Sequence, residues 1–249
     1  MSKSELLLNT PIMNAAGCLG FAPDTHGATD LSLMGAFITN PISLLARSPA
    51  HGPRFLSFPG GFLLHTGYPN PGLSAAIRRY APRWGRSPLP VLVHLLAQKV
   101  GEVTAMISKL ESLEGVAGFE IGLPEEADAE MVRAFARAAA GELPVVMRFP
   151  LEHAAWLADG FERTRLAAVS LAPPRGMLPL PDGSLGHGRL YGPALFPQAL
   201  AAVQELSRRD IPVIGSGGIY TPAQAEAMLQ AGAIAVQLDA VLWRGGWQG

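Results

Sequence analysis

Short apolar runs alternate along the whole chain with stretches whose apolar positions recur every three or four residues. Eight runs have strand length: Ile12–Ala15, Ala36–Thr39, Val91–Leu95, Gly118–Ile121, Val145–Phe149, Ala167–Leu171, Val213–Ser216 and Ala235–Leu238. Between them, Val100, Val103, Ile107 and Leu110 fall on one helical face, as do Phe196, Leu200, Val203 and Leu206. This alternation predicts an α/β fold, a (β/α)8 TIM barrel closed by parallel strands, with a doubly wound open sheet as the competing arrangement. No internal repeat, low-complexity tract or linker divides the chain, so residues 1–249 read as a single domain.

Two segments break the rhythm. Pro41–Gly72 and Pro173–Pro193 read as long irregular loops, each following a strand. In a barrel both lie over the C-terminal mouth, where long loops make or cover a site. After the eighth apolar run only AVLWRGGWQG remains, so the pattern lacks an eighth helix. The groove left there is expected to be covered by Trp243 and Trp247 or by a second copy of the chain, and a homo-oligomer is expected.

Composition narrows the function. Hydrophobic residues make up 49% of the chain and charged residues 16%, which suits a compact fold with much buried surface. The net charge is −1 with no basic block, which argues against nucleic acid as a partner. No apolar run approaches the roughly 18 residues of a membrane span. The single cysteine, Cys18, excludes an intrachain disulfide and a cysteine-rich metal site. The start, MSKSELLLNTP, has too short an apolar stretch for a signal peptide, so a cytoplasmic protein without a metal is expected.

Four segments carry a resemblance: PIMNAAGCLG (Pro11–Gly20), GAFITN (Gly35–Asn40), PGGFLLHTGYPNPG (Pro59–Gly72) and PVIGSGGIYTPAQAEAMLQAGAIAVQL (Pro212–Leu238). In order and spacing they are similar to the dihydroorotate dehydrogenases. The resemblance implies FMN across the barrel mouth and hydride transfer from dihydroorotate to flavin in pyrimidine synthesis. It places Ala15, Ala16 and Gly17 beside the flavin ring, where small residues let the backbone approach closely. Gly217 and Gly218 fall at the phosphate turn, where glycines let successive N–H groups point at one anion. Gly192 matches a preceding phosphate loop, and Arg54 matches an arginine of the active-site loop. His65 and Asn70, in the loop LLHTGYPNPG, are assigned with Arg54 and Glu120 to the small-molecule substrate.

Departures from the family pattern fall on the positions that carry chemistry. Asn40 stands for a lysine after the second strand, Leu64 for an asparagine, and Arg148 for the fifth-strand lysine that contacts flavin. The segment Glu120–Glu126 (EIGLPEE) replaces an asparagine-rich loop, with Leu123 where the family has its cysteine or serine base and Glu120 and Glu125 where it has asparagines. Asp239 and Ala240 replace a glycine–threonine pair, which puts a carboxylate beside the phosphate turn. No catalytic residue is assigned, because leucine cannot act as a base. Glu120 and Arg148 both point into the barrel if the register is right and can pair with each other. His94 reads as a hydrogen-bonded core histidine or as an acid–base group in the mouth. Glu125 and Glu126 read as charges favouring a helix N-terminus.

Three functions follow. The first is an FMN-dependent oxidoreductase with altered or lost dihydroorotate activity, its FMN held weakly or not at all. The second is a non-catalytic barrel acting as a partner or regulatory subunit. The third is a non-flavin barrel that binds a phosphorylated metabolite.

Overall fold

The computed structural model describes residues 6, 8–161, 164–243 and 247. Its strands are β1 (Ile12–Asn14), β2 (Phe37–Ile38), β3 (Phe55–Phe58), β4 (Gly61–Leu64), β5 (Val91–Leu96), β6 (Val116–Gly122), β7 (Val145–Pro150), β8 (Ala168–Ala172), β9 (Arg175–Pro179), β10 (Leu185–Tyr191), β11 (Val213–Ser216) and β12 (Ala235–Leu238). The helices are α1 (Leu73–Trp84), α2 (Val100–Leu110), α3 (Ala129–Ala138), α4 (Ala154–Leu157), α5 (Phe196–Arg208), α6 (Pro222–Gln230) and α7 (Ala240–Trp243).

Eight strands form one parallel sheet in the order β1-β12-β11-β8-β7-β6-β5-β2. All eight coincide with the apolar runs read from the sequence. A large apolar layer lies between sheet and helices. A smaller cluster of Met13, Ala36, Ile38, Leu92, Val146, Ala168, Ile214 and Ala235 fills the barrel interior. Seven of the eight strand-to-strand seams are ladders. The eighth, between β1 and β2, has only a bridge at Met13–Ala36 and the bond from Gly35 N–H to Ile12 O, 2.7 Å.

A side chain completes that seam. Asn14 is fully buried; its Nδ2 donates to Ile38 O at 2.6 Å, and its Oδ1 accepts from Ile38 N–H at 3.0 Å. One amide thus satisfies both backbone groups of a fully buried β2 residue. Gly35 has to be a glycine here, because a Cβ would lie 2.0 Å from Thr10 O.

The two long segments are not irregular. Each contains a pair of strands, and together they form a second, antiparallel sheet in the order β3-β4-β10-β9. The β3–β4 hairpin turns at Pro59–Gly60, with Gly60 at φ +99°, a conformation that favours glycine. Glycine-rich and proline-rich text hid strands whose side chains alternate between half-buried and exposed. After β12 the chain forms the four-residue helix α7, where the sequence suggested no helix. Trp243, which closes α7, packs on Tyr191 and Phe62 at centroid distances of 5.2 and 6.1 Å. Trp247 is half-buried against the main core.

Replacing Asn14 by alanine leaves the N–H and C=O of Ile38 buried without partners. We expect a loss of roughly 2–4 kcal/mol, read as a lower urea midpoint with an unchanged denaturant slope. A loss under about 0.5 kcal/mol would show that the β1–β2 seam closes without Asn14.

Candidate active site

Strand register brings the polar side chains to one level of the barrel. His94 on β5 lies beside Glu120 on β6, Arg148 on β7 lies beside Ser170 on β8, and Gln237 on β12 lies beside Ser216 on β11. Side chains two apart on a strand share a face, so the apolar interior layer below them (Leu92, Val146, Ala168, Ile214, Ala235) fixes which way they point.

Glu120 is the hub. Its Oε2 lies 2.6 Å from His94 Nδ1 and 3.6 Å from Arg148 Nη1. Its Oε1 accepts from Ser170 Oγ at 2.7 Å and from Gln237 Nε2 at 2.6 Å. The carboxylate is fully buried. Burial opposes its ionisation, yet Arg148, His94 and Gln237 together bring its pKa down to about 2. A carboxylate that is ionised can only accept, so His94 Nδ1 carries the proton and Nε2 presents its lone pair. Burial holds the His94 pKa below the ordinary imidazole value, outweighing the pull of Glu120; Arg148 and Arg189 push the same way. His94 is therefore neutral at pH 7.

Two connected cavities open above this layer. The larger, about 390 Å³, is lined by Ala16, Gly17, Leu123, Arg189, Tyr191 and Trp243 among others. A small inner one, about 30 Å³, is lined by Tyr68, His94, Leu96, Leu123, Arg148 and Arg189 among others, so the two share Tyr68, Leu96, Leu123 and Arg189. Arg189 Nε donates to Tyr68 Oη at 2.9 Å, which ties the antiparallel sheet to the Gly67–Tyr68 loop.

The residues assigned from sequence separate into groups. Ala16, Gly17 and His65 line the larger cavity, and Arg148 lines the inner one. Ala15 is buried beneath the mouth, its N–H bonded to Leu238 O at 2.7 Å. Asn40 Oδ1 accepts from Gly20 N–H at 3.1 Å. Arg54 is exposed, with Nε on Ala50 O at 3.1 Å. Asn70 is buried and fastens its own loop, bonding Ser43 Oγ, Tyr68 O and the Gly72 N–H. Glu125 does not open a helix: α3 starts at Ala129 behind the capping Asp128, and Glu125 pairs instead with Arg175 at 3.0 Å. Ser170 and Gln237 were missed. Their signal was present as single polar residues within the apolar runs AAVSL and AVQL.

The glycine turn is buried. Gly217 and Gly218 have φ +110° and +71°, and a Cβ on Gly218 would lie 2.5 Å from Phe196 N. Gly192 packs on the β3–β4 turn, where its Cβ would lie 2.4 Å from Gly60 O. Asp239, at the end of β12, is 2% exposed. Its Oδ1 accepts from the Ala240 N–H, and its Oδ2 has no partner. Burial raises its pKa to about 6, against the pull of the Ala240 N–H and Arg148. Cys18, close enough to Asp239 for its charge to act, is raised by burial and then by that charge above the ordinary thiol range. Its carbonyl accepts from Trp243 Nε1 at 3.2 Å. Among the described residues no group of three or more His, Cys, Asp or Glu could hold a metal ion, and no helix is long and apolar enough to cross a membrane.

The family model of dihydroorotate dehydrogenase matches residues 3–137 and 181–248. The chain belongs to the dihydroorotate dehydrogenase family. It is 30% identical to the catalytic subunit of dihydroorotate dehydrogenase B (NAD(+)) of Maridesulfovibrio salexigens, over 94% of this chain and 84% of that one. The corresponding subunits of Geotalea daltonii and Desulforudis audaxviator are 29% and 28% identical, over 94% and 93% of this chain and 84% and 82% of theirs. The barrel superposes with a TM-score of 0.75 on a crystal structure of DHODH from Eimeria tenella in complex with ferulenol. That match covers 98% of this chain and 80% of the other; at 14% identity it concerns the fold alone.

Two outcomes test the electrostatics. Glu120→Gln leaves Arg148 buried without its counter-charge and should cost about 3 kcal/mol at pH 7, with the difference from wild type shrinking as pH falls below about 4. A variant as stable as wild type at pH 7 would contradict the hub. Asp239 has the opposite sign. Its pKa is raised on folding, so the folded state holds the proton more tightly and stability is lost as pH rises from about 4 to about 6. Asp239→Asn should remove that slope and gain on the order of 2 kcal/mol at pH 8, measured by urea unfolding at pH 5 and pH 8. An equal effect at both pH values would show that Asp239 titrates normally.

Proposed function

We propose that this member of the family has lost dihydroorotate oxidation and that its mouth binds a small anionic metabolite. The observation that carries the loss is the Asp239 carboxylate, buried beside the end of β12 with one oxygen unpartnered. FMN, the cofactor the family implies, needs its phosphate at this end of the barrel, against Gly217 and Gly218. A place that already disfavours one carboxylate disfavours a phosphate dianion more. Two unit charges about 4 Å apart repel by roughly 4 kcal/mol at an effective dielectric constant near 20. The residues present do not fit the phosphate, and no step is derived through FMN.

The mouth supports the same reading. Leu123, at the position of the family's proton acceptor, lines both cavities with an apolar side chain. Arg47, Arg175 and Arg189 line the larger cavity together with His65 and His187, against Glu125 and Glu126. Glu125 is tied to Arg175 and Arg148 is paired with Glu120, which leaves Arg47 and Arg189 of the larger cavity to attract an anion. A second reading, in which FMN is weakly retained by an altered oxidoreductase, is favoured by Ala16 and Gly17, small residues that open onto the larger cavity.

Titrating FMN into the purified full-length chain separates the two. We expect weak binding to wild type and binding at least about tenfold tighter to Asp239→Gly, a change of about 1.4 kcal/mol. Dihydroorotate turnover, with FMN supplied, should stay far below the roughly one per second of an ordinary enzyme. Tight stoichiometric FMN in the wild type, together with such turnover, would overturn the proposal.

A further inference from the structure

The Glu120–His94 pair does more than fill the barrel. Glu120 is saturated on both oxygens: Oε1 accepts from Ser170 and Gln237, and Oε2 faces His94 Nδ1 and Arg148. Held that way, the carboxylate fixes the imidazole tautomer with its proton on Nδ1. The opposite edge of the ring is turned to the inner cavity, which His94 lines together with Gly122. A Cβ at position 122 would lie 2.9 Å from His94 Nε2, so the missing side chain of Gly122 leaves that nitrogen uncovered. Arg148, from β7, and Arg189, from β10, line the same cavity, with Tyr68 between Arg189 and the loop. A neutral imidazole oriented by an ionised carboxylate that Arg148 balances, open to a cavity and flanked by the Arg189 guanidinium, is the arrangement of a positioned general base with an anion anchor.

We propose that His94 is a catalytic base in the mouth and that Glu120 is its positioning residue. The compound it acts on is a small 2-oxoacid. This rests on the reading of the mouth as a binding site for a small anion. Size and charge select the class. The inner cavity, about 30 Å³, admits one methyl-sized group, while the body of the molecule occupies the larger cavity. A carboxylate next to a carbonyl offers planar acceptors to the guanidinium group of Arg189, which lines both cavities. The same carbonyl acidifies the neighbouring C–H, which the inner cavity brings to His94. In the step, Nε2 takes the proton from that carbon. The C–H electron pair becomes the C=C bond of an enolate, and the negative charge moves to the former carbonyl oxygen beside the arginines. The imidazolium is stabilised by Glu120, which stays ionised; it trades its new proton with solvent through the open cavity and delivers a solvent proton, or in D2O a deuteron, back to carbon. Nothing is oxidised or reduced, so the step needs neither flavin nor an electron acceptor.

Exchange of the methyl protons of pyruvate with D2O tests this directly. The full-length protein should speed the loss of the pyruvate methyl signal at least about tenfold over buffer. His94→Gln should abolish the gain, and Glu120→Gln should reduce it by a factor of about 10² or more. Because either variant can disturb the core, Gly122→Ala provides a second check: its Cβ, 2.9 Å from Nε2, crowds that nitrogen from the cavity side while leaving every charge of the pair in place, and it should lose exchange while keeping the wild-type circular dichroism. Imidazole nitrogen shifts from 15N-histidine protein give a readout that does not depend on turnover. They should show His94 protonated on Nδ1 at pH 7, with the Nε2 resonance moving when pyruvate is added. A shift on pyruvate addition without exchange would overturn the base while leaving the anion-binding reading intact. Absence of both shift and exchange would overturn both. A proton found on Nε2 would overturn the base by itself.

Discussion

One buried carboxylate organises the centre of this barrel. Glu120 on β6 is joined to side chains from β5, β7, β8 and β12, so five of the eight barrel strands meet at a single group. An ion so deep is tolerated only when every lone pair is used and a counter-charge is near. Ser170, Gln237 and His94 meet the first condition and Arg148 the second. The network therefore fixes the imidazole tautomer, holds the guanidinium at the edge of the inner cavity, and sets the floor of the mouth. Unpartnered polar atoms remain around it, namely Arg148 Nε, Ser216 Oγ and Gln237 Oε1. Removing the central charge would leave more of them.

At the end of β12 the same low-dielectric surroundings have the opposite consequence. Asp239 has one N–H partner and only the pull of Arg148 to offset its burial, and its carboxyl is driven up to about 6. The two acids lie in one barrel and differ by what surrounds them, as their neighbours set the direction of each shift. The glycine turn keeps the backbone form of an anion site, with positive φ at both residues.

Much of the architecture was legible as sequence because the barrel strands are buried on both faces and read as short continuous apolar runs. The antiparallel sheet over the mouth was not legible. Its strands, such as Arg175–Pro179 and Leu185–Tyr191, carry exposed residues, glycine and proline, and read as loops. The Glu120–Arg148 pair could be anticipated from strand alternation. Ser170 and Gln237 could not be ranked above other polar residues until the register placed them opposite the same carboxylate. The alternatives for His94, core histidine or acid–base group, turn out to be compatible: one ring nitrogen belongs to the core network and the other edge to the cavity. Asn14 sits within a segment that resembles a flavin-contacting stretch, yet in this structure its side chain closes the barrel.

The most direct test of this electrostatic account is a carboxyl-carbon NMR titration of the full-length protein labelled at aspartate and glutamate, with Glu120→Gln and Asp239→Asn used to assign the two signals. The account predicts that Glu120 remains ionised through pH 4, with its midpoint near 2, while Asp239 takes up its proton near pH 6. A Glu120 midpoint in the ordinary range near 4.3, or an Asp239 midpoint near 3.9, would contradict it.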